Sequence, residues 1–477
     1  MRNLTLRIAW RNIWRNTRRT VITLVTMVIC EGIMVWMITF GDGVHEQMIR
    51  TTLNTGLGSI QIHALGYQSE KKSDDVILDP GPVTEIARQV PTVEGVSTRI
   101  TSFGLASHSG NTQPSMIIGV EPIGETTISV LDEKVELGEW LPEEISNPRR
   151  LPIVIGIGMA EKLKVTLGDR IYLTMADFTG APAYAVYFVH GIFKTGMGEM
   201  DKSIAYVPIE TLQPLMAAGI PRFENAVHEV TLLLEPMTSE AEAVTFLGGQ
   251  FPTLLPDSEI PGADSGWQLT TVQTEDAVAA GTGEPEDGNS DGGEKEPVDD
   301  PDQAAVELDG QQLEILTWRK IQPGLKTFID LDNFGMYITM VFLFIVVAIG
   351  IMNTFLMAVF ERIREFGIFM ALGTRPSAIF KLVMTESLLV GIIGAVAGLG
   401  LGLIGYWINT IYPISYGSYG ELGDIMTFDW SMDLYPMLIW ANVMKAVFGI
   451  IVVTVLAALW PAIVAAMLKP VEALRHV

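Results

Sequence analysis

The sequence predicts a helical membrane protein with four transmembrane helices and a large α+β extracytoplasmic domain. Three observations support this fold class: four long apolar stretches, basic residues concentrated in the segments beside them, and a composition with 48% hydrophobic but only 18% charged residues. A soluble domain usually carries about 25% charged residues. The balance therefore favours a membrane protein over a soluble enzyme.

Each apolar stretch is long enough to cross a bilayer as a helix. About 20 residues, rising about 1.5 Å each, span a hydrocarbon core of about 30 Å. We predict transmembrane helices at 20–41, 334–360, 379–411 and 436–468. We expect the first to be retained, because its apolar run is too long for a signal peptide and no A-x-A cleavage site follows it.

Basic residues predict the orientation. Six arginines lie in 1–19, and further basic residues lie in 361–378 and 469–477. Such segments favour the cytoplasmic side, so we expect a multi-pass protein of the cytoplasmic (inner) membrane with both termini inside. Residues 42–333 and a short loop at 412–435 are then expected outside. Segment 1–19 is predicted to be an amphipathic helix on the cytoplasmic face, a basic anchor for the first span, or both.

The large segment 42–333 is expected to fold as an α+β domain. Alternating residues at 59–66 predict a strand, and 83–91 predict a helix. Residues from about 136 to 220 predict a second unit, inserted into the first. The single cysteine, Cys30, excludes an intramolecular disulfide, so this domain depends on its own apolar core.

The acidic charge is regional. Residues 275–302 hold eleven acidic residues and one lysine, within a chain whose net charge is −24. Because Gly, Pro, Asp, Glu and Ser dominate 271–310, we predict a disordered loop there. A solvated spacer is the default interpretation, and a contact with a basic partner is the alternative. A helical stalk is predicted at 311–333, interrupted by Pro323.

Motifs of soluble enzymes fail in context. A G-x-G-x-x-G match at 400–405 lies inside the third span, and a G-x-S-x-G match at 288–292 lies in the acidic loop. No G-x-x-x-x-G-K-[ST] loop occurs, and the six histidines lack metal-ligand spacing. We therefore expect no catalytic residue, no metal site and no cofactor in this chain.

Small and charged residues inside the spans are the next candidates. Gly394, Gly398 and Gly402 share one helix face, which suits either packing within the bundle or a subunit interface. Charged side chains at membrane depth are costly and often functional; those here are Glu31, Glu386 and Lys445. Glu386 and Lys445 are expected near the interfaces. Glu31 is deepest, where it faces either the packed bundle or a partner or cavity.

The loop between the second and third spans predicts a short amphipathic helix. Ile363, Phe366 and Met370 share a face, and Gly373 can end the helix. On physical grounds alone, a docking element and a solvated loop are equally supported.

Family resemblance favours the docking element. The run ERIREFGIFMALGTRPSAIFKLVMTES (361–387) resembles the signature loop of FtsX/MacB-type ABC transporter permeases, roughly E-R-x-x-E-I-G-x-x-x-A-x-G. The ending KPVEALR (469–475), with VIGIGMAEKL (154–163) and D-x-x-x-A-Y-V-P (201–208), is similar to the same family. Length and outer domain look most like the Lol-type lipoprotein-release permeases. The acidic loop departs from that pattern, and the lack of a fused ATPase departs from the macrolide-exporter branch.

The resemblance implies a permease subunit that catalyses nothing itself. Its expected partners are cytoplasmic ABC ATPase subunits, which hold ATP and Mg, a second permease chain (identical or paralogous), and membrane lipid. A lipoprotein substrate, entering between the first span of one subunit and the second of the other, and a periplasmic carrier are also implied, and no nucleic acid is expected. The residues expected to couple to the ATPase are Glu361, Arg362, Arg364, Glu365, Phe366, Gly373 and Arg375.

Two alternatives remain open at this point. One is a permease of the same family that exports peptides, drugs or lipids, or that controls a cell-wall hydrolase. The other is a sensory or ligand-binding membrane protein that works without an ATPase.

Overall fold

The computed structural model describes residues 2–236, 238–255, 300–415 and 433–468, which fall into two units. The helical domain comprises the described residues of 1–49, 327–419 and 430–477. The sheet domain comprises those of 50–326. The predicted tail at 469–477 and most of the predicted acidic loop lie outside the described residues.

The helices range from a single turn to membrane-spanning length. Their bounds are α1 Arg2–Ile13, α2 Thr17–Thr52, α3 Tyr67–Glu70, α4 Pro80–Arg88, α5 Pro122–Ile128, α6 Ile157–Leu163, α7 Gly198–Ser203, α8 Ile209–Ala217, α9 Glu240–Gln250, α10 Trp318–Ile321, α11 Pro323–Glu361, α12 Ile363–Ala371, α13 Pro376–Ile411 and α14 Trp440–Ala466. A 3₁₀ turn at Trp14–Asn16 separates α1 from α2, and a π-helical turn at Leu53–Leu57 follows α2.

Four of these helices satisfy the membrane-span prediction. Among the described residues, α2, α11, α13 and α14 contain windows with mean hydropathy from 2.3 to 2.6. Helices α11 and α13 begin at Pro323 and Pro376. Proline suits this position because the N–H groups of the first helical turn have no partner within the helix, so the N–H that proline lacks costs no hydrogen bond. Both therefore start before the predicted spans do. The predicted fold class, four spanning helices with a large α+β domain, is confirmed.

The strands of the sheet domain join into one sheet. Their bounds are β1 Ile60–Ala64, β2 Val93–His108, β3 Asn111–Val120, β4 Val135–Gly138, β5 Leu151–Gly156, β6 Arg170–Ala176, β7 Pro182–Phe193, β8 Ile204–Pro208, β9 Glu229–Leu234, β10 Thr253–Leu255, β11 Gln303–Leu308 and β12 Gln311–Thr317. The order is β10-β11-β12-β1-β9-β2-β3-β8-β5-β7-β4, with β6 pairing to β2 and β7. In the helical domain, β13 Ile414–Ser415 pairs with β14 Asp433–Leu434.

Residues 136–220 are not an independent insertion, contrary to the sequence prediction. Strand β8 lies parallel to β3, and β6 pairs with β2, so the segment is built into the same sheet as its flanks. One large apolar core includes Ile60 and Ile100 from outside the segment and Ile153 and Leu212 from inside it. Shared hydrogen bonds and a shared core explain why the segment does not separate.

A hairpin replaces the end of the predicted disordered loop and the start of the predicted stalk. Residues 303–308 form β11, and 311–317 form β12 rather than a helix. Asp309 and Gly310 join them with φ values of +50° and +79°, and Asp-Gly is a strong signal for a two-residue hairpin turn. The high acidic content around 300 conceals a short apolar run, Ala304 to Val306, that the sheet buries.

An ion cluster inside the sheet domain fixes the turn after α2. Arg99 on β2 pairs with Glu125 at 2.6 Å and with Glu229 at 3.2 Å, and it also donates to the carbonyl of Gly56. Gly56 has φ +110°, which a side chain would strain. Burial alone would raise the pKa of Glu229, but the charges of Arg99 and Lys71, the interaction with His63 and the hydrogen bond from Arg99 together outweigh burial, and the pKa is lowered. The guanidinium of Arg99 therefore holds the turn through the carbonyl of Gly56, and two carboxylates hold the guanidinium in place.

Two histidines are buried beside this cluster. The ring of Tyr67 stacks on His63 at 5.0 Å and on His228 at 5.1 Å between ring centroids. Burial lowers the pKa of each histidine to about 4, so both are neutral at pH 7. Within the described residues, no group of three or more His, Cys, Asp or Glu side chains is arranged to hold a metal ion.

Candidate functional site

The helix between the second and third spans, α12, is anchored on its inner side. Phe366 is 1% exposed and belongs to the apolar core of the helical domain. The guanidinium of Arg362 lies 5.1 Å from the centre of its ring, a distance typical of a cation–π contact. Gly373, at φ +89°, turns the chain out of the helix. The sequence predicts Phe366 as a coupling residue, and within this chain its ring is buried in the apolar core.

A network of polar contacts joins the start of α12 to α13 and to α1. Arg362 donates to Glu386 at 3.1 Å and to Glu365 at 3.3 Å. Asn12 donates to the same Glu386 carboxylate at 2.6 Å. Glu386, predicted near an interface, is only 6% exposed. Three helices therefore meet at one carboxylate.

The basic segment before the first span also contacts α12 and the end of α11. Arg15 pairs with Glu365 on α12 at 2.5 Å, and Arg19 pairs with Glu361, the last residue of α11. The hydrogen bond from Arg15 lowers the pKa of Glu365 below its usual range. The Arg15 side chain is 58% exposed, and an exposed pair of this kind adds little to stability, because water screens the two charges. The pairs thus set the position of α12 more than they stabilise the fold.

The outer side of α12 is apolar and exposed. Ile368 is 43% exposed, Phe369 44% and Leu372 78%, and Arg364 and Arg375 are exposed beside them. The sequence predicts a coupling role for both arginines but does not single out the three apolar residues. Spacing could not distinguish them from Phe366, because α12 carries apolar residues around most of its circumference. An exposed apolar patch with basic residues beside it is typical of a protein interface.

The glycine stripe of α13 packs against the first span of the same chain. A Cβ added to Gly394 would lie 2.8 Å from Met27, one on Gly402 would lie 2.5 Å from Val35, and one on Gly398 would overlap Glu31. The two helices therefore approach at these positions as closely as glycine allows. Within this chain the stripe therefore serves close packing of α13 against α2.

The remaining charged residues of the spans differ in environment. Both carboxylate oxygens of Glu31 are buried and have no hydrogen-bond partner among the described residues. Lys445 is exposed near the start of α14 and donates to Asn442 at 2.9 Å. Glu31, Glu386 and Lys445 are therefore not brought together, and only Glu386 belongs to the network at α12.

Comparison with protein-family models identifies the class of this chain. A MacB-like periplasmic core domain matches residues 20–245, and an FtsX-like permease C-terminal model matches residues 337–470. This chain is an ABC transporter permease of the FtsX/MacB type. In this permease the second match contains α12, Gly373, Glu386 and the glycine stripe of α13.

The permease also resembles individual members of the family along its length. It is 21% identical over 397 residues to the lipoprotein-releasing system transmembrane protein LolC of Xylella fastidiosa, covering 82% of this chain and 80% of LolC. It is 22% identical over 478 residues to the ABC transporter permease YknZ of Bacillus subtilis, covering 99% and 98%. A shorter match of 128 residues is 38% identical to the macrolide export ATP-binding/permease protein MacB of Nitrobacter winogradskyi, covering 27% and 17%.

Proposed function

We propose that this permease couples ATP hydrolysis by separate cytoplasmic ATPase subunits to a conformational change in its sheet domain, and that the substrates are lipoproteins released from the membrane. The observation that carries the coupling is the exposed apolar side of α12, formed by Ile368, Phe369 and Leu372. The helix that carries this patch joins two spans. Charged residues at its start, Arg362 and Glu365, form ion pairs with neighbouring segments. It suits a partner that binds α12 and displaces it.

Displacement of α12 would reach its neighbours through ion pairs. Arg362, just before α12, pairs with Glu386 on α13, and Glu365 on α12 pairs with Arg15 in the turn before α2. A cavity of about 280 Å³ lies behind these contacts, lined in part by Thr23.

The proposed orientation has both termini in the cytoplasm and the sheet domain outside. The basic segments before α2 and around α12 supply the positive charge that favours the cytoplasmic side. The pairs Arg15–Glu365 and Arg19–Glu361 join these two segments. Both segments therefore lie on the same side of the membrane in the proposed orientation. A second permease chain, identical or paralogous, would complete the transporter. The sheet domain would then meet substrate and any carrier.

Lipoprotein release is favoured by the similarity to LolC. A second candidate is export of another substrate, favoured by the 38% identity over 128 residues to the macrolide export protein MacB. Crosslinking of an acylated lipoprotein to the purified transporter in nanodiscs separates the two. Lipoprotein release requires a crosslink that ATP hydrolysis by the associated ATPase abolishes, whereas an exporter of other substrates gives none.

The coupling proposal is tested by co-purification. We would co-express the permease with its ATPase, purify the complex in detergent, and measure co-elution and ATP hydrolysis. The docking variant is Ile368→Asp/Leu372→Asp, which places two charges on the exposed side of α12. The matched control is Leu331→Asp on α11, because Leu331 is also apolar and 63% exposed. We expect the docking variant to lose the ATPase and the control to retain it.

Other results would overturn the proposal. If the wild-type permease brings down no ATPase, a sensory or ligand-binding membrane protein becomes the better account. If both variants retain the ATPase equally, the ATPase binds elsewhere, and α12 is a linker only.

A further inference from the structure

The N-terminal helix α1 has a side that faces away from the protein. Its inner side is packed: Ala9 is fully buried, Ile13 is 6% exposed, and Asn12 donates to Glu386. Positions three, four, seven and eleven apart share a helix side, and the opposite side carries five long side chains. These residues, which we call the outward face, are Arg7, Trp10 and Arg11 on α1, with Trp14 in the following 3₁₀ turn and Arg18 at the start of α2.

The arginines of the N-terminal segment divide into two groups. Arg15 and Arg19 are paired with Glu365 and Glu361. Arg7, Arg11 and Arg18 are exposed and form no ion pair with any residue that the structure describes. Three positive charges on one side of a helix, without carboxylates from the chain itself, repel one another and favour an external anion.

The two tryptophans indicate that the anion belongs to the membrane surface. Trp10 is 47% exposed and Trp14 41%, and their rings meet edge to face at 6.0 Å between centroids. Indole rings with an apolar body and one N–H donor are enriched at the headgroup level of membranes. Only the 3₁₀ turn at Trp14–Asn16 separates α1 from the spanning helix α2. The chain therefore holds the outward face close to the bilayer surface.

We propose that the outward face of α1 binds anionic phospholipid headgroups, with Arg7, Arg11 and Arg18 at the phosphates and Trp10 and Trp14 in the interface. The continuity with α2 favours lipid over an acidic protein partner, because α1 cannot leave the bilayer surface without breaking its contacts to α13. This binding goes beyond the proposed transport function and requires no ATPase. It makes the position of α1, and through Arg15 that of α12, sensitive to membrane charge.

The test uses the full-length permease without ATPase. We would reconstitute it in nanodiscs with equal phosphatidylglycerol and phosphatidylcholine, extract it, and count retained lipids of each kind by native mass spectrometry. The variant is Arg7→Gln/Arg11→Gln/Arg18→Gln. The matched control, Arg88→Gln/Arg149→Gln/Lys162→Gln, removes three exposed positive charges from the sheet domain. Thermal unfolding of all three proteins verifies that they are folded.

We expect the wild type and the control to retain phosphatidylglycerol preferentially, and the triple variant to lose this preference. Each basic residue near an anionic surface contributes about a fivefold preference, so the loss should be large, and the wild-type preference should weaken in high salt. Equal retention by the triple variant and the wild type would overturn the proposal. It would also be overturned if the triple variant kept its lipid preference but lost the ATPase in co-purification, because the outward face would then be a protein interface.

Discussion

Arg362, at the start of α12, and Glu386, within α13, form an ion pair of 3.1 Å in which both side chains are largely buried. Asn12 adds a second donor to the same carboxylate. A buried carboxylate needs such partners, since desolvation disfavours its charge. The pair therefore has a structural role as well as the proposed role of transmitting movement from α12.

Removing one member of this pair should destabilise the protein more than removing both. Arg362→Met leaves Glu386 buried with only the amide of Asn12, and we expect a loss of roughly 3 kcal/mol. The double variant Arg362→Met/Glu386→Gln removes the stranded charge and should recover part of that loss. Thermal unfolding in detergent measures both. Equal destabilisation would mean that the stranded charge is not the cause.

Phe366 and Phe369 provide a matched pair of substitutions on one helix. Phe366→Ala empties a site that is 1% exposed, and we expect a loss of about 3–5 kcal/mol in stability. Phe369→Ala changes a side chain that is 44% exposed, so its effect on stability should stay within about 0.5 kcal/mol. Thermal unfolding measures this contrast.

Co-elution with the ATPase should give a separate answer for Phe369. Under the proposed function, Phe369→Ala weakens ATPase binding while the permease remains stable. If instead Phe369→Ala alters neither quantity, this phenylalanine lies outside the docking surface, and Leu372 becomes the residue to test.

Substitutions at Gly398 and Gly400 test whether the glycines of α13 are needed for close helix packing. Gly398→Ala places a methyl group against Glu31, whereas the space around Gly400 is open to 4 Å. We expect Gly398→Ala to lower the unfolding temperature, because α13 must move away from α2. Gly400→Ala should leave it unchanged or raise it slightly. A similar effect of both substitutions would argue against close packing as the reason for the stripe.

The predictable parts of this protein depend on local sequence. Spanning helices follow from long apolar runs, and Gly373 marks a helix end because few other residues adopt a positive φ there. The β11–β12 hairpin was also signalled locally, by Asp309-Gly310, but the acidic composition around it outweighed a two-residue signal. Composition describes a window, whereas a hairpin depends on the order of residues within it.

The pairing of charged side chains was not predictable from local sequence. Arg15 and Glu365 are 350 residues apart in the chain, and nothing near either residue selects the other among the many charges available. The sequence predicts only that both residues lie next to transmembrane helices. Which of them meet, and which side of α12 is left exposed, follows from the tertiary packing of the helical domain, in which α1 lies against α13.

Acid should destabilise the sheet domain through its two buried histidines. Their pKa is lowered to about 4 in the folded protein, against an ordinary value of 6.5. Between these values the unfolded chain binds more protons than the folded one, so stability is complete above pH 6.5 and falls as the pH drops toward 4. By pH 5.5 we expect each histidine to remove about 1 kcal/mol.

The contribution of His63 can be isolated by comparing pH slopes. Its ring nitrogens lie 3.3 Å from the carbonyl of His228 and 3.0 Å from the side-chain oxygen of Gln61, and the charges of Glu229 and Lys71 also act on it. His63→Gln cannot gain a proton in this range, so its unfolding temperature should fall less between pH 7.5 and 5.5 than that of the wild type. Equal slopes for the variant and the wild type would mean that His63 accepts a proton without cost, and that β1 and β9 separate or admit water in the native state.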